Sequence, residues 1–386
     1  MDRTIFDEEH EMFRDSVRSF FINEVQPHRE RWHKQEIVDR EAYLKAGEQG
    51  LLLMWADEKY GGAGVSDFRY EQILMEENAR HGDNGFFLWL HSRLVGPYLG
   101  ELATDEQKDR WLPKCVSGES ILAVAITEPG AGSDVAGIKT RAEDKGDHFL
   151  LNGSKTYISN GINADLVIVV ARTDPDKRHG LSLLVVERGM EGFERGRNLD
   201  KMGLKSQDTA ELFFNNVKVP KENLLGELHR GFYSLMHFLA EERLIGAVGY
   251  VANAEAAFEE TMEYVTERHA FGQPIASFQN SRFMLADMRM HLDVAQSFVD
   301  QCVLQHNDGK LTAEDAAKAK LHTSEVEAKI VDDCVQLHGG AGYMQEYSIC
   351  RRYLDARVSR IYAGSSEIMR EIIARSIGLD PRKKSA

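Results

Sequence analysis

The chain has 386 residues, which is enough for two or three domains and a sizeable hydrophobic core. Its 47 Lys and Arg residues stand against 62 Asp and Glu residues, a formal net charge of −15. This acidic balance argues against nucleic acid as the main ligand, although a few local arginines can still hold an anionic substrate. No apolar run approaches the length of a membrane span, so we expect no transmembrane helix.

The cysteines and the first residues bear on the compartment. Cys115, Cys302, Cys334 and Cys350 form no CxxC pair, which argues against a zinc site or a redox dithiol and favours a reducing compartment. The start, MDRTIFDEEHEMF, resembles neither a secretory signal nor an Arg-rich transit peptide. We therefore expect a cytoplasmic, bacterial protein, with a processed mitochondrial matrix protein as the alternative.

The first part of the chain is predicted to be helical. Apolar residues recur at helical spacing near the start, and further helices are expected at 40–50 and 68–80. The string YGGAGVSD at 60–67 indicates a loop. Thr104 followed three residues later by Gln107 is typical of a capping box at the start of a helix.

Near Ile121 the pattern changes to short apolar runs rich in Val, Ile, Leu and Phe and separated by turn residues. Asn152-Gly153 lies between two such runs and predicts a hairpin turn. We expect a compact antiparallel barrel or sandwich here. From Gly231 onward long helices return, including one at 311–337 that begins after Thr312 and ends at Gly339-Gly340. No GxGxxG string follows a strand, which argues against a Rossmann unit.

Two strings in the middle part have the residue types of a ligand site. ITEPGAGSD at 126–134 is a Gly-rich loop after a strand, where backbone N–H groups can approach an anion or a ring carbonyl. In KTYISN at 155–160, Tyr157 and Ser159 share one face of a strand and could contact a flat heterocycle. Taken alone, the first string is more typical of a simple turn, and the second is more typical of ordinary strand packing.

The string RIYAGSSEIMREIIAR at 360–375 resembles the C-terminal signature of the acyl-CoA dehydrogenase family, usually I-Y-E-G-T. ITEPGAGSD, KTYISN, RHAFGQPIASFQ at 268–279 and QLHGG at 336–340 resemble further family motifs, so the resemblance covers nearly the whole chain. It implies a mixed α and β fold. The expected parts are an N-terminal α-helical domain at 1–119, a middle antiparallel β-barrel domain at 120–226 and a C-terminal four-helix bundle at 227–386.

The resemblance implies FAD as the cofactor. The expected FAD-binding residues lie in the matching motifs: Ile126, Thr127, Gly132, Ser133, Tyr157, Ser159, Arg268, Phe271, Gln279, Gln336, Gly339, Gly340, Ser365 and Glu367. In the family, the segments matching 268–279 and 336–340 meet the FAD of a neighbouring subunit. The resemblance therefore implies a homo-oligomer, most plausibly a homotetramer.

The signature Glu, which is the catalytic base in many members, is Ala363 here, and alanine cannot take a proton. Glu242 in FLAEERLIGAVG lies on the apolar stripe of a predicted helix, four residues after Phe238 and three before Ile245. A structural ion pair with Arg243 or Arg375 is the alternative reason for a buried Glu there. Glu241, about 100° away around the helix, is a weaker candidate.

Long-chain and isovaleryl-type members carry Ala or Gly in the signature and place the base before a conserved Arg. Ala363 together with Glu242-Arg243-Leu244 resembles that arrangement, which implies Glu242 as the base. The expected substrate is an acyl-CoA, and the expected substrate-binding residues are Ser133, Leu181, Ser182, Tyr233, Arg243, Tyr362, Ala363 and Gly364. The Ala363 N–H matches the donor that binds the thioester oxygen.

The resemblance implies conversion of the acyl-CoA to the trans-2-enoyl-CoA, with a lean toward long chains. Hydride passes to FAD, and electron-transferring flavoprotein is the expected electron acceptor. Two alternatives stay open at this point. One is an acyl-CoA oxidase or flavin monooxygenase on the same fold, and the other is a non-catalytic CoA- or flavin-binding scaffold, which the missing signature Glu would suit.

Overall fold

The fold is taken from a computed structural model that describes residues 3–175, 177 and 179–380. Its N-terminal part is helical, as predicted. The helices are α1 (Glu8–Phe20), α2 (Arg29–Gln35), α3 (Arg40–Glu48), α4 (Phe68–His81), α5 (Gly96–Leu102) and α6 (Asp105–Val116). The capping box predicted at Thr104 and Gln107 is confirmed at the start of α6, where both reciprocal hydrogen bonds are present.

The middle part is one sheet of eight strands. They are β1 (Leu122–Ala125), β2 (Arg141–Asp144), β3 (His148–Ser159), β4 (Leu166–Arg172), β5 (Leu181–Glu187), β6 (Phe193–Asn198), β7 (Thr209–Pro220) and β8 (Leu224–Leu225). The order is β6-β7-β3-β2-β4-β5-β8, with β1 paired to β4. Both β1 and β2 run parallel to β4, so the sheet is mixed rather than purely antiparallel. The long connections between these strands supply the crossovers that parallel pairing requires.

The hairpin turn predicted at Asn152-Gly153 is wrong. β3 runs straight through this pair and shifts register there against β7, as in a β-bulge. Gly153 has φ 147°, and a Cβ on it would lie 2.4 Å from Thr140 Oγ1. Gly is therefore needed at position 153, because Thr140, just before β2, lies too close for a side chain there. The hairpin between β2 and β3 turns instead at Gly146, which has φ 96°.

The C-terminal part consists of three long helices, two short helices and a small two-stranded pairing. They are α7 (Gly231–Glu267), β9 (His269–Ala270), β10 (Gln273–Pro274), α8 (Gln279–Asn307), α9 (Ala313–His338), α10 (Ser348–Ala356) and α11 (Ser366–Ser376). Thr312 caps α9 by accepting from the Asp315 N–H, as predicted. The short helices α10 and α11 both pack on α9.

The sheet is buried on both faces. On β4, Val167 and Val169 belong to a cluster inside the sheet domain, whereas Ile168 and Val170 belong to the large core shared with the helices. The period of two along the strand separates these two cores. One core thus joins the sheet to α7 and places the helical site beside it. Within the described residues, no helix has both the length and the apolar character needed to cross a bilayer.

Candidate active site

Glu242 lies in the first third of α7, and only 7% of its surface is exposed. Its Oε1 accepts a hydrogen bond of 2.7 Å from the hydroxyl of Tyr98 on α5. The Tyr98 ring packs against Phe238, one turn before Glu242, with the ring centres 4.2 Å apart. The carboxyl group therefore sits on the apolar face of α7, fixed by one neutral donor.

Burial raises the pKa of Glu242 to about 7, because desolvation disfavours the charged form. The hydrogen bond from Tyr98 and the charge of Arg243 lower this pKa, and the charge of Glu241 raises it further. Near neutral pH, part of the Glu242 population is ionised and can accept a proton. A carboxylate with a pKa near the working pH is a stronger base than one at its ordinary value.

The neighbouring Glu241 has different surroundings. It forms an ion pair with Arg93, with 3.1 Å between Nε and Oε1, and approaches His306 at 3.5 Å. Burial raises its pKa, while Arg93 lowers it. Glu241 is therefore paired with a cation, as expected for a structural carboxylate. The second structural partner considered for Glu242, Arg375, pairs with Glu371 on its own helix instead.

Two successive residues of the signature loop have a left-handed backbone conformation. Ala363 has φ 51° and Gly364 has φ 91°, both in the left-handed region. A Cβ on Gly364 would lie 2.6 Å from Cε of Met369, so this position favours glycine. Among the described residues, none accepts a hydrogen bond from the Ala363 N–H. Ser365 caps α11 by accepting from the Ile368 N–H, and Glu367 follows on its exposed first turn.

Lys320, which the sequence analysis missed, connects this loop to α7. It is fully buried on α9, and its Nζ donates to the Gly364 carbonyl at 2.7 Å. Burial and the nearby charge of Arg243 lower the pKa of Lys320 to about 8. The signal was a lysine among Ala316, Ala317 and Ala319 on an apolar helix face. Lys320 thus bonds the signature loop and lies near enough to Arg243 for the two charges to repel each other.

The Gly-rich loop at 126–134 is held by a buried carboxylate. Glu128 accepts from the backbone N–H groups of Lys139 and Thr140 and from Nζ of Lys155, at 2.7 to 2.9 Å. Lys155 also donates to the Ile126 carbonyl at 2.9 Å. Thr127 joins the loop to β3 by accepting from the Thr156 N–H. Glu128 and Lys155 were not predicted from the sequence, although a Lys inside an apolar strand indicates an ion pair with a buried carboxylate.

The outer side of this loop and of β3 fits a flat ligand. A Cβ on Gly132 would meet nothing within 4 Å, and Ser133 is exposed. Tyr157 has φ 60° at a register shift of β3 and is 70% exposed, whereas Ser159 is half-buried. Tyr157 and Ser159 therefore need not lie on the same face of β3, because the bulge breaks the alternation of side chains along the strand. An exposed, conformationally fixed aromatic ring beside open backbone N–H groups suits the stacking of FAD.

The remaining expected FAD contacts form a separate exposed edge. Arg268 ends α7, Phe271 is 97% exposed with φ 52°, and Gln279 begins α8. The stacked rings of Tyr264 and His338 bring the end of α7 beside the end of α9, where Gln336, Gly339 and Gly340 are exposed. The motifs at 268–279 and 336–340, which are far apart in sequence, thus lie at one edge of the molecule.

For Leu181 and Ser182, the expected role in substrate binding stays a prediction. Both have no exposed surface on β5, and the Ser182 hydroxyl is occupied by Thr173 at 2.6 Å and by the His229 N–H at 2.8 Å. Strand β5 is covered on both faces, so neither side chain can reach a substrate without movement. Tyr233, by contrast, is 50% exposed, with Arg230 over its ring at 4.3 Å.

Models of three family domains match the chain. The N-terminal, middle and C-terminal domains of acyl-CoA dehydrogenase match residues 7–119, 123–217 and 229–378. The mouse mitochondrial long-chain specific acyl-CoA dehydrogenase is 47% identical over 381 residues, covering 98% of this chain and 88% of the mouse protein. The mitochondrial isovaleryl-CoA dehydrogenase of Pongo abelii is 36% identical over 385 residues, covering 97% and 89%.

Solved structures agree with these matches. The crystal structure of an acyl-CoA dehydrogenase from Geobacillus kaustophilus has a TM-score of 0.96 at 47% identity, covering 98% of this chain and 100% of that one. A structure described under the electron transferring flavoprotein of Acidaminococcus fermentans has a TM-score of 0.93 at 36% identity, covering 98% and 100%. The chain belongs to the acyl-CoA dehydrogenase family, whose members are FAD-dependent oxidoreductases that act on CH–CH bonds.

Proposed function

We propose that this protein dehydrogenates an acyl-CoA thioester to the trans-2-enoyl-CoA and that Glu242 is the catalytic base. One observation carries the assignment. The signature position is Ala363, and Glu242 is a buried carboxyl group on the apolar face of α7 with a pKa raised to about 7. Among the residues that the structure describes, its one hydrogen-bond partner is a neutral phenol, and none of them forms an ion pair with it that would hold it in the ionised form.

The residues of the chain divide the work of proton abstraction. A carboxylate oxygen of Glu242 receives the α-proton of the acyl group, and the resulting acid is the form that burial favours. The Ala363 N–H donates to the thioester oxygen as negative charge develops there, because this donor has no other partner in the described part of the chain. Lys320 donates to the nearby Gly364 carbonyl and so anchors the loop that carries this N–H. FAD, when bound, supplies the hydride acceptor for the β-carbon.

We infer a homotetramer in which FAD lies between subunits. The exposed ring of Tyr157 and the exposed edge with Arg268, Phe271 and Gln336 support this inference, since large exposed aromatic surfaces typically become covered. We further propose electron-transferring flavoprotein as the acceptor. The structural neighbour described under that flavoprotein supports the proposal. The four cysteines are free, which agrees with the reducing compartment that we expect.

The acyl group is the least determined part of the substrate. The 47% identity to a long-chain specific enzyme favours straight chains over branched ones, since the isovaleryl-specific relative is 36% identical. We therefore propose straight-chain acyl-CoA thioesters, leaning toward long chains. The shape and polarity of the cavity beyond Glu242 refine this proposal below.

The test is anaerobic mixing of the FAD-loaded protein with straight and branched acyl-CoAs. Dehydrogenation bleaches the flavin absorbance and forms one 2-enoyl-CoA per flavin. Electron-transferring flavoprotein should then reoxidise the flavin faster than air does. Stoichiometric peroxide in air without turnover by electron-transferring flavoprotein would instead identify an oxidase. An absence of bleaching with every acyl-CoA would leave a binding scaffold.

A further inference from the structure

A cavity of about 30 Å³ lies along α7, one turn beyond Glu242. Gly246 and Gly249 line it and follow Glu242 by four and seven residues, so all three lie on one face of the helix. Tyr362, the residue before Ala363, lines the cavity from the signature loop, and Trp89 lines it from the N-terminal domain. The cavity therefore lies beside the same face of α7 that carries Glu242 and beside the residue that precedes Ala363.

Tyr250 narrows the near end of this cavity. Its side chain points back along α7, and a Cβ on Gly246 would lie 3.0 Å from its hydroxyl oxygen. Its ring stacks on Tyr362 with 6.1 Å between ring centres and an interplanar angle of 28°. Tyr250 is 3% exposed, and its hydroxyl forms no well-aligned hydrogen bond among the described residues, although it interacts with Tyr362 beside it. A buried donor is thus aimed at the space beside Gly246.

The far wall is also polar. Glu327 on α9 is 2% exposed, and neither its Oε2 nor Oδ1 of Asn253 has a hydrogen-bond partner within the described part of the chain. Burial raises the pKa of Glu327 to about 8, although hydrogen bonding by Ser359 and Asn253 opposes the shift. At neutral pH the group is mostly a carboxylic acid, which can both donate and accept.

These features select the kind of acyl group that fits. A methyl terminus would leave the polar atoms unpaired, at a cost of about 1–3 kcal/mol for each atom. An anionic terminus is disfavoured as well, because the described lining residues include the two carboxyl groups of Glu327 and Asp355 and no Lys or Arg. An uncharged oxygen-bearing group can accept from one wall and donate to the other.

We propose that Tyr250, Asn253 and Glu327 determine specificity by binding an uncharged hydrogen-bonding group, such as a hydroxyl or ketone, on the acyl chain beyond the β-carbon. Gly246 and Asn253 lie about 6 and about 16 Å beyond Glu242 along the helix axis, which brackets the position of this group. The proposal rests on the proposed function and adds the substrate class. It excludes dicarboxylic acyl groups from the preferred substrates.

The test uses matched acyl-CoA pairs with the same number of heavy atoms, one ending in a methyl group and one in a hydroxyl group, from four to ten carbons. A third series ends in a carboxylate. For at least one length, kcat/KM should favour the hydroxyl terminus over the methyl terminus by about 10-fold or more, because a site with buried polar atoms rejects an apolar analogue. The carboxylate series should be the poorest.

Tyr250→Phe and Glu327→Gln supply two variants that keep side-chain shape, and Asn253→Leu supplies a third. In Tyr250→Phe and Asn253→Leu the hydroxyl-to-methyl ratio should fall toward one, and in Glu327→Gln it should fall several-fold. The ratio compares two substrates on the same preparation, so partial misfolding cancels. Tyr353→Phe is the matched control, because it removes a hydroxyl from a tyrosine that is 43% exposed on α10.

The outcomes separate this inference from the proposed function. Flavin bleaching that favours methyl termini at every length, or ratios that all three variants leave unchanged, would overturn the specificity proposal and leave dehydrogenation intact. In that case the polar atoms would be satisfied by buried water, for which the cavity has room. An absence of bleaching with every acyl-CoA would overturn both.

Discussion

Two adjacent carboxyl groups on α7 have opposite environments. Glu241 faces Arg93 and His306, whereas Glu242 faces Tyr98 in an apolar setting. Burial raises the pKa of both side chains, but only Glu241 has a cation within ion-pair distance. Burial by itself is therefore not enough to turn a carboxyl group into a catalytic base. A buried carboxylate becomes reactive when its partner can hold it in place without keeping it ionised.

The largest effect is expected when Glu242→Gln is compared with Glu241→Gln. Loss of the base should lower the anaerobic rate of flavin reduction by about 10³-fold in Glu242→Gln. Glu241→Gln should change that rate by less than about 10-fold, since this residue is assigned a structural role. Stopped-flow absorbance with one acyl-CoA measures both. Equal losses in the two variants would contradict the assignment.

Arg93→Met tests the structural side of the pair. Removing this cation leaves Glu241 without its ion pair and leaves the buried Glu71, whose pKa burial raises to about 7, without a compensating charge. We expect the free energy of unfolding to fall by about 3 kcal/mol, measured by urea denaturation. The flavin-reduction rate per folded active site should change little. A rate loss as large as that of Glu242→Gln would show that the two clusters act together.

Glu242 should cost stability at high pH. Its folded-state pKa is about 7, above the ordinary value of 4.5, so the folded state resists ionisation more than the unfolded chain does. The resulting destabilisation grows as pH rises from about 4.5 to about 7 and is then constant. Glu242→Gln should therefore be more stable than the parent protein at pH 8, by at most about 3 kcal/mol, and similar at pH 4.5. Thermal unfolding at several pH values measures this, and equal stabilities at pH 8 would contradict the raised pKa.

Tyr98→Phe is the smallest change. It removes the donor that stabilises the ionised carboxylate, so the pKa of Glu242 should rise above about 7. Flavin reduction should increase with pH through the pKa of Glu242, and the midpoint should move upward in the variant. At pH 7 we expect a loss of about 10-fold, the usual weight of one buried hydrogen bond. A midpoint that does not move would show that Tyr98 has no electrostatic role.

Local patterns were predicted well where a local cause determines them. The caps at Thr104 and Thr312 depend on residues three positions apart, and the apolar stripe that buries Glu242 depends on helical spacing. The hairpin predicted at Asn152-Gly153 is wrong because Thr140, just before β2, packs closely against Gly153 at a register shift of β3. The full burial of Leu181 and Ser182 could not be predicted for the same reason, since burial of a strand on both faces depends on what packs there.

The order of helical, β and helical parts, the family resemblance and the candidate base could be predicted from the sequence, because periodicity and motif spacing are properties of the chain. The contacts between side chains that are distant in sequence became visible in the folded structure alone. Tyr98 reaches Glu242 across 144 positions and Lys320 reaches the signature loop across 44, and the cavity beside Tyr250 lies between three separate parts of the chain. Hydrogen bonds and desolvation act through space, so the pKa of Glu242 and the polarity of the cavity follow from packing and not from the local sequence.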